Sequence, residues 1–138
     1  MKIGNKIFDG GTHVMAIINL TPDSFYEQSR ATQADLLKRV EKAIADGAEV
    51  IDIGGQSTRP GHIPVDEEQE WKRLSQPIKA IKNNFDIPLS VDTYYPQVAN
   101  KALEYGADMI NDIWGLQYDS DGEMARIIAK YNAAVCIM

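Results

Sequence analysis

Four short apolar runs in this sequence of 138 residues each end in polar side chains of the types that carry chemistry. The first two runs lead into residues 19–25 and 54–61, and Asp92 and Asn111 lie at the ends of the next two. Amides, carboxylates and a guanidinium at such positions can bind an anion, a hard cation or the polar edge of a flat heterocycle. Neither His13 nor His62 has a matched Ser, Cys or Asp partner, so the sequence predicts neither a catalytic triad nor a zinc site.

Asp92 and Asn111 are the candidates for recognising a heterocycle. A carboxylate can accept two N–H donors, and an amide supplies a donor and an acceptor, so the pair suits a 2-amino-4-oxo ring. A helix N-cap is the structural alternative for Asp92, although Pro96 starts the next helix too late for it. The role of Asp52 stays ambiguous. Asp112 directly follows Asn111, so we expect its side chain to point away from the site.

The first two strand ends favour an anion site. Asn19 offers a carbonyl oxygen that suits a hard cation and an amide group that suits a phosphate oxygen. Arg59, beside Thr58 and Pro60, suits an anion or a flat aromatic carboxylate. Structural alternatives remain open here, because Asn19 and Asp23 are common turn residues and Arg59 lies in a Gly-Pro turn. The glycines of this segment match neither a phosphate loop nor a dinucleotide fingerprint, so they do not support nucleotide binding.

The elements that would position these residues alternate between strands and helices. Five apolar runs are too short for helices and lack polar alternation, which is typical of parallel sheets; they cover residues 14–20, 50–54, 89–91, 109–113 and 133–138. Four segments with helical periodicity lie between them. We predict N-caps at Thr32, Asp66 and Ser120, and a kink or break at Pro77 within the second helix.

The joint between helix and strand is nearly repeated. The sequence DGAEVIDI at 46–53 resembles YGADMINDI at 105–113, which indicates an internal βα repeat. Gly47, Gly106 and Asn132 each suit the left-handed residue that follows a helix. Residues 1–13 carry turn signals that predict a small hairpin, and the chain reads as one α/β domain over residues 1–138.

Two architectures fit this order of elements. One is an open, five-stranded flavodoxin-like sheet with the strand order 2-1-3-4-5. The other is a partial (βα)8 TIM barrel, with its first five parallel strands in sequential order and four helices. A complete barrel of this kind needs about 250 residues, so the chain can form only part of one. Composition does not separate the two architectures.

Composition limits the partners and the location. The net charge is −6 and there is no basic cluster, which argues against nucleic-acid binding. No apolar run approaches the length of a membrane span, so we predict a cytoplasmic protein that acts on small molecules. Cys136 is the single cysteine and lies in an apolar run, which predicts a reduced, buried thiol.

These segments together resemble the dihydropteroate synthase family of folate biosynthesis, the target of sulfonamides. Residues 19–25 and 54–61 are similar to its two signature loops, and VDT at 91–93 and IND at 110–112 match its third and fourth strand ends. The resemblance runs through all 138 residues but covers only the first half of the family's pterin-binding TIM barrel. It implies that the family's later helices, which form a homodimer, and its later Asp, Lys and Arg site residues are absent here.

The resemblance also implies a reaction. The family condenses 6-hydroxymethyl-7,8-dihydropterin pyrophosphate with p-aminobenzoate, which yields 7,8-dihydropteroate and pyrophosphate. Asn19 would ligate Mg²⁺ and the pyrophosphate, Asp92 and Asn111 would hold the pterin, and residues 58–60 would shape the p-aminobenzoate site. Asp23 and Arg59 would take part in catalysis. Because half of the site is missing, we expect negligible synthase activity from the 138-residue chain alone.

Two positions depart from the family's pattern. After Phe25 the chain reads YEQS where many members have SDGG, so Glu27 stands near the usual Asp. Gln56 stands where Glu is usual. Two other functions stay open: a flavodoxin-like binding or receiver module, and another pterin-binding barrel such as a corrinoid-linked methyltransferase. The latter shares Asp92 and Asn111 but does not explain residues 21–25.

Overall fold

The computed structural model describes residues 1–20, 30–56 and 65–138. A two-stranded antiparallel hairpin of β1 (Lys2–Ile3) and β2 (Lys6–Ile7) comes first. Strands and helices then alternate in the order β3 (Met15–Asn19), α1 (Arg30–Ala45), β4 (Val50–Gly54), α2 (Glu67–Asn84), β5 (Leu89–Asp92), α3 (Pro96–Glu104), β6 (Met109–Asp112), α4 (Glu123–Tyr131) and β7 (Ala134–Ile137).

Strands β3 to β7 form one parallel sheet in which the order in space equals the order in the chain. This confirms the partial barrel, because the flavodoxin-like alternative requires the first strand to lie between the second and the third. All five residues of β4 are buried, as expected for a strand covered on both faces. The edge strands β3 and β7 are partly exposed instead.

The two faces of the sheet carry different cores. Helices α1 to α4 cover one face, where the largest cluster of buried apolar side chains includes Ile18, Ile53, Val91 and Ile110. On the opposite face, Ile3 and Phe8 from the hairpin region pack against Val50 of β4 and Met109 of β6 in a second cluster. The hairpin thus closes the amino-terminal end of this second face and leaves its carboxyl-terminal end for polar residues.

The repeated joint in the sequence has the same geometry at both places. Gly47 and Gly106 both adopt φ 102°, in the left-handed region that glycine tolerates without strain. Each donates its N–H three residues back, to Ile44 and Leu103 respectively, and the alanine that follows each glycine donates five residues back. This pattern satisfies the last helical carbonyls. The repeat therefore aims β4 and β6 into the sheet in the same way.

Helix starts were predicted with mixed success. Asp66 caps α2 as expected, because its side chain accepts from the Gln69 N–H at 2.8 Å. Thr32 is no N-cap, since α1 already begins at Arg30. Ser120 is no N-cap either: Gly122 occupies that position, and the Asp119 carboxylate accepts from the N–H groups of Glu123 and Met124.

Replacement of Asp119 tests this correction. Asp119→Ala removes the acceptor for two backbone donors at the start of α4, so we expect Tm to fall by about 3 °C. Ser120→Ala is the matched control, because the Ser120 hydroxyl contacts only the neighbouring Asp121 carboxylate among the contacts described. Thermal unfolding followed by circular dichroism measures both. Equal Tm values for the two variants would contradict the assignment.

Two further expectations were wrong, one of them in part. Of the kink or break expected at Pro77, the break does not occur: helix α2 continues to Asn84, and Leu74, Ile78 and Ile81 on either side of the proline are fully buried. Cys136 is only partly buried, since it lies on the edge strand β7, where it packs beside the second core cluster.

Candidate functional site

Three of the predicted site residues lie in one row across the sheet. In the strand register Asn19 is paired with Gly54, Gly54 with Asp92, and Asp92 with Asn111. Paired residues in a parallel sheet project from the same face, here the face opposite the helices. Polar groups from three strands therefore meet at the carboxyl-terminal end of the sheet, where ligands bind in α/β folds of both kinds considered.

Four of the residues named from the sequence lie outside the described residues. They are Asp23, Thr58, Arg59 and Pro60, and their roles stay predictions. Glu27 lies outside as well.

Gly54, at the end of β4, places no side chain in the row between Asn19 and Asp92. A Cβ atom at Gly54 would lie 3.5 Å from both Cβ and Oδ2 of Asp92. The hydrogen at this position leaves the Asp92 carboxyl reachable from the side of β4. A ring lying flat across the row can therefore contact Asp92 without a side chain from β4 between them.

A second polar layer lies one step deeper on the same face. Asp52 of β4 is paired with Ser90 of β5, two residues before Gly54 and Asp92. Asp52 is 1% exposed and Ser90 is 0% exposed, and the Asn111 Nδ2 group donates to Asp52 Oδ2 at 3.4 Å. Ser90 Oγ and Asp52 Oδ1 are a matching donor and acceptor, and Ser90 lowers the pKa of Asp52. Asn111 Oδ1 has no hydrogen-bond partner within the described part of the chain. An unpartnered buried oxygen of this kind favours a ligand that brings a donor.

Burial changes the acidity of both aspartates. Burial raises the pKa of Asp92 to about 7, and the carboxylates of Asp52 and Asp112 add repulsion in the same direction. Burial also raises the pKa of Asp52, while Ser90 and Asn111 partly offset it. N–H donors of a ligand would stabilise the charged form of Asp92 and lower its pKa again. The site is thus suited to a ligand edge rich in N–H groups.

The Asp112 side chain was expected to point away from the site, and its carboxylate binds the turn that follows β6. Its two carboxylate oxygens accept from the N–H groups of Trp114 and Leu116, both at 2.8 Å. These bonds hold the turn after β6, in which Gly115 and Leu116 have positive φ. Asp112 therefore shapes the segment between β6 and α4, while Asn111 faces the candidate site.

Sequence reasoning missed a buried carboxyl group behind the row. Glu70 of α2 is 0% exposed, and its Oε2 accepts from the Thr93 hydroxyl at 2.6 Å. Burial is the largest cause that raises the pKa of Glu70 to about 7, and repulsion from Asp92 adds to it. Arg73, one turn later, donates to the Gly55 carbonyl at 2.7 Å. Helix α2 is thereby bonded to the ends of both β4 and β5.

Aromatic side chains border the same end of the sheet. Tyr94 and Tyr95 follow β5, Trp114 and Tyr118 follow β6, and neighbouring ring centroids lie 4.5 to 6.0 Å apart. Trp114 and Tyr118 remain about half exposed. The sequence shows these residues only as scattered aromatics, because their meeting depends on the two loops lying side by side.

The described residues offer few protein ligands for a metal ion. In residues 1–20, 30–56 and 65–138, no group of three or more His, Cys, Asp or Glu side chains is arranged to hold an ion. Asn19 is exposed at the end of β3 and offers one carbonyl oxygen. This donor set suits Mg²⁺, which often takes one or two protein ligands and completes its shell with water and substrate phosphates.

A helix long and apolar enough to cross a membrane is not found in the described ranges.

Comparison with known proteins identifies the family. Residues 15–138 match the family of pterin binding enzymes. The dihydropteroate synthase of Clostridium beijerinckii is 50% identical over 141 residues, which cover 100% of this chain and 52% of that protein. The dihydropteroate synthase of Streptococcus pyogenes serotype M1 is 47% identical over 139 residues, with the same coverage. The chain thus spans about half the length of these relatives.

Solved structures agree with the sequence relatives. The dihydropteroate synthase of Clostridium difficile, crystallised in the presence of pteroic acid, superposes with a TM-score of 0.85 at 42% identity, over 100% of this chain and 50% of that chain. The Yersinia pestis enzyme in complex with a sulfonamide drug gives a TM-score of 0.86 at 35% identity, with the same coverage. The chain therefore belongs to the pterin-binding enzyme family, within which its relatives are dihydropteroate synthases.

Proposed function

We propose that this chain forms the first half of the catalytic barrel of a dihydropteroate synthase. The reaction joins 6-hydroxymethyl-7,8-dihydropterin pyrophosphate to p-aminobenzoate, with release of pyrophosphate. The observation that carries the proposal is the row of Asn19, Asp92 and Asn111 on one face of the sheet. The row offers an anion or cation contact at one end and a heterocycle contact at the other.

Asp92 and Asn111 are assigned to the pterin. The 2-amino-4-oxo ring presents N–H groups along its edge, and Asp92 gives that edge a half-buried acceptor. Asn111 Oδ1 is a second buried acceptor without a partner in the ranges described. Its Nδ2 is held by Asp52, so the amide presents its oxygen in a fixed orientation. The deeper residues Asp52 and Ser90 support this assignment as the polar floor of the pocket.

The anion end is assigned to Asn19, together with Asp23 and residues 58–60. When bound, Mg²⁺ would neutralise charge on the departing pyrophosphate. Asn19 would hold the ion and a phosphate oxygen, and Arg59 would bind negative charge on the pyrophosphate or on the p-aminobenzoate carboxylate. The pterin methylene loses its bond to oxygen and gains one to the arylamine nitrogen, so the protein has only to position two rings and stabilise an anion.

The alternatives fit less well. A flavodoxin-like module is excluded by the sequential strand order of β3 to β7. A pterin-dependent methyltransferase would use the same heterocycle contacts, but the relatives at 47–50% identity are synthases. We extend the proposal to a cytoplasmic enzyme that forms a homodimer through helices beyond this half of the barrel.

A chimaeric enzyme tests the function directly. Residues 1–138 are joined to the second half of the Clostridium beijerinckii relative, and pyrophosphate release and dihydropteroate formation are measured with both substrates. We expect the chimaera to form dihydropteroate and the 138-residue chain alone to remain at background. Release of pyrophosphate by the chain alone at the rate of a complete synthase would contradict the division of the site between two halves.

Asp92 is the residue whose replacement should cost most in that assay. Asp92→Asn removes a charged acceptor, so kcat/KM for the pterin substrate is expected to fall at least about 100-fold. Asp121→Asn, in an exposed turn before α4, is the control and should leave kcat/KM unchanged. If both variants keep full activity in the chimaera, Asp92 does not bind the pterin.

A further inference from the structure

The end of β4 and the end of β5 are joined by the buried carboxyl group of Glu70. We propose that Glu70 is a positioning residue of the candidate pterin site, which holds Gln56 and Thr93 together and so fixes the strand end that carries Asp92. The inference concerns this chain's own geometry and rests on the proposed function only for the identity of the ligand.

The contact with β5 is fully specified. The Thr93 hydroxyl donates to Glu70 Oε2 at 2.6 Å, and its oxygen accepts from the Tyr95 N–H at 3.2 Å. Both Glu70 and Thr93 are at most 1% exposed. Because the hydroxyl has a single hydrogen, its orientation is set by the carboxylate on one side and the amide on the other. Thr93 directly follows Asp92, so this pair limits the movement of the Asp92 backbone.

The contact with β4 involves Gln56, two residues beyond Gly54. Glu70 Oε1 and Gln56 Nε2 are both buried, and neither has a hydrogen-bond partner among the described residues. They are a matching acceptor and donor, and the Gln56 side chain lowers the pKa of Glu70. The side-chain oxygen of Gln56, Oε1, in turn accepts from the Tyr94 hydroxyl at 3.5 Å. One oxygen of the Glu70 carboxyl group thus binds Thr93 after β5, and the other is left for the Gln56 amide after β4.

Neighbouring bonds extend the same connection. Arg73 holds the Gly55 carbonyl, and the Tyr95 hydroxyl donates to the Val65 carbonyl at 2.9 Å. Gln56 and Val65 are therefore both anchored to this cluster. They are the described residues on either side of positions 57–64. A change at Glu70 should consequently be felt both at Asp92 and at the chain positions that flank this segment.

The protonation state of Glu70 decides how many donors it can hold. As a carboxylate it can accept from Thr93 and Gln56 together, whereas the acid carries a hydrogen on one oxygen, which opposes one of these donors. The titratable groups that act on it are Asp92 of β5, which raises its pKa, and Arg73 of α2, which lowers it. Tyr95, after β5, also lies within electrostatic reach. The hold on the two strands should therefore weaken on acidification.

The test compares Glu70→Ala and Glu70→Gln in the chimaera, at a temperature at which circular dichroism shows both to be folded. Glu70→Ala should raise KM for the pterin substrate about 10-fold, as for the loss of one buried, charge-assisted hydrogen bond. Glu70→Gln keeps an acceptor for Thr93 and should recover part of the loss. The pH profile of its KM near 7 should differ from that of the wild type, because only Asp92 of the two carboxyl groups still titrates there. Glu68→Gln, exposed on the same helix, is the control. A lower Tm with unchanged KM and an unchanged pH profile would overturn the proposal.

A second measurement separates this inference from the proposed function. The carboxyl carbon of Asp92 is titrated by NMR in the 138-residue chain itself. Repulsion between two carboxylates is mutual, so Glu70→Gln should move the Asp92 titration to lower pH, and Glu68→Gln should leave it in place. If the chimaera is inactive but the titration shifts, the function is wrong and the role of Glu70 stands. If the chimaera is active and neither KM nor the titration changes, the role of Glu70 is wrong.

Discussion

Asp92→Asn is expected to stabilise the chain at pH 8 by about 2–4 kcal/mol while it removes the main acceptor of the candidate site. The reason is that the native state keeps Asp92 protonated up to about pH 7, whereas an exposed aspartate has a pKa of 3.8. Between these two values the native state binds more protons than the unfolded state, so stability falls as pH rises. Above pH 7 the whole cost is present, and asparagine avoids it.

The pH dependence of the gain distinguishes electrostatics from packing. At pH 4 about 40% of the unfolded aspartate is itself protonated, so the advantage of asparagine should shrink to below about 1 kcal/mol. Urea unfolding at pH 4 and pH 8 measures the free energy of unfolding of both proteins. Asp86→Asn, at an exposed position before β5, is the control and should behave as wild type. An equal gain at both pH values would show that the effect does not come from the charge.

This cost has a functional explanation. In the described part of the chain, burial and two carboxylates all raise the pKa of Asp92, and no donor or cation offsets them. A carboxyl group left in this state is typical of a binding site whose missing partners belong to the ligand. Saturation with a pterin should therefore lower the pKa of Asp92 and restore stability above pH 7.

The fold was predictable because short sequence patterns determine where its strands and helices begin and end. The five apolar runs, the repeated glycine joints and Pro96 at the start of α3 all reflect backbone rules that act within a few residues. The predictions were wrong where contacts between more distant residues determined the structure. Asp119 satisfies donors four and five residues ahead, so the serine next to it is not needed as a cap.

The row of strand-end residues was predictable from the topology of the sheet. The buried residues that contact this row were not predictable. Asn19, Asp92 and Asn111 end their runs, and the ends of parallel strands meet at one edge. Asp52 joins them only through the strand register, which the sequence does not state. Glu70 follows an acidic stretch that resembles a solvated helix start, and its burial depends on how closely α2 approaches β4.

The absence of a side chain at Gly55 allows α2 to lie close to the end of β4. Replacement of Gly55 should therefore destabilise the chain strongly. A Cβ atom at Gly55 would lie 2.9 Å from Cγ of Glu70, and 3.2 Å from both the Glu70 carbonyl oxygen and Cγ of Leu74. Glu70 and Leu74 are both fully buried, so neither side chain can move into solvent. We expect Gly55→Ala to lower the free energy of unfolding by about 2–3 kcal/mol, as for an overpacked core.

The adjacent glycine supplies the control for this prediction. At Gly54 the nearest atoms to an added Cβ lie 3.5 Å away, at ordinary van der Waals distance. Both substitutions reduce the flexibility of the unfolded chain by the same amount, so that contribution cancels when they are compared in urea. The difference between the two variants then reports the native contact between α2 and the end of β4. Equal stabilities would mean that α2 can withdraw from the sheet, in which case Glu70 could not hold the two strand ends in place.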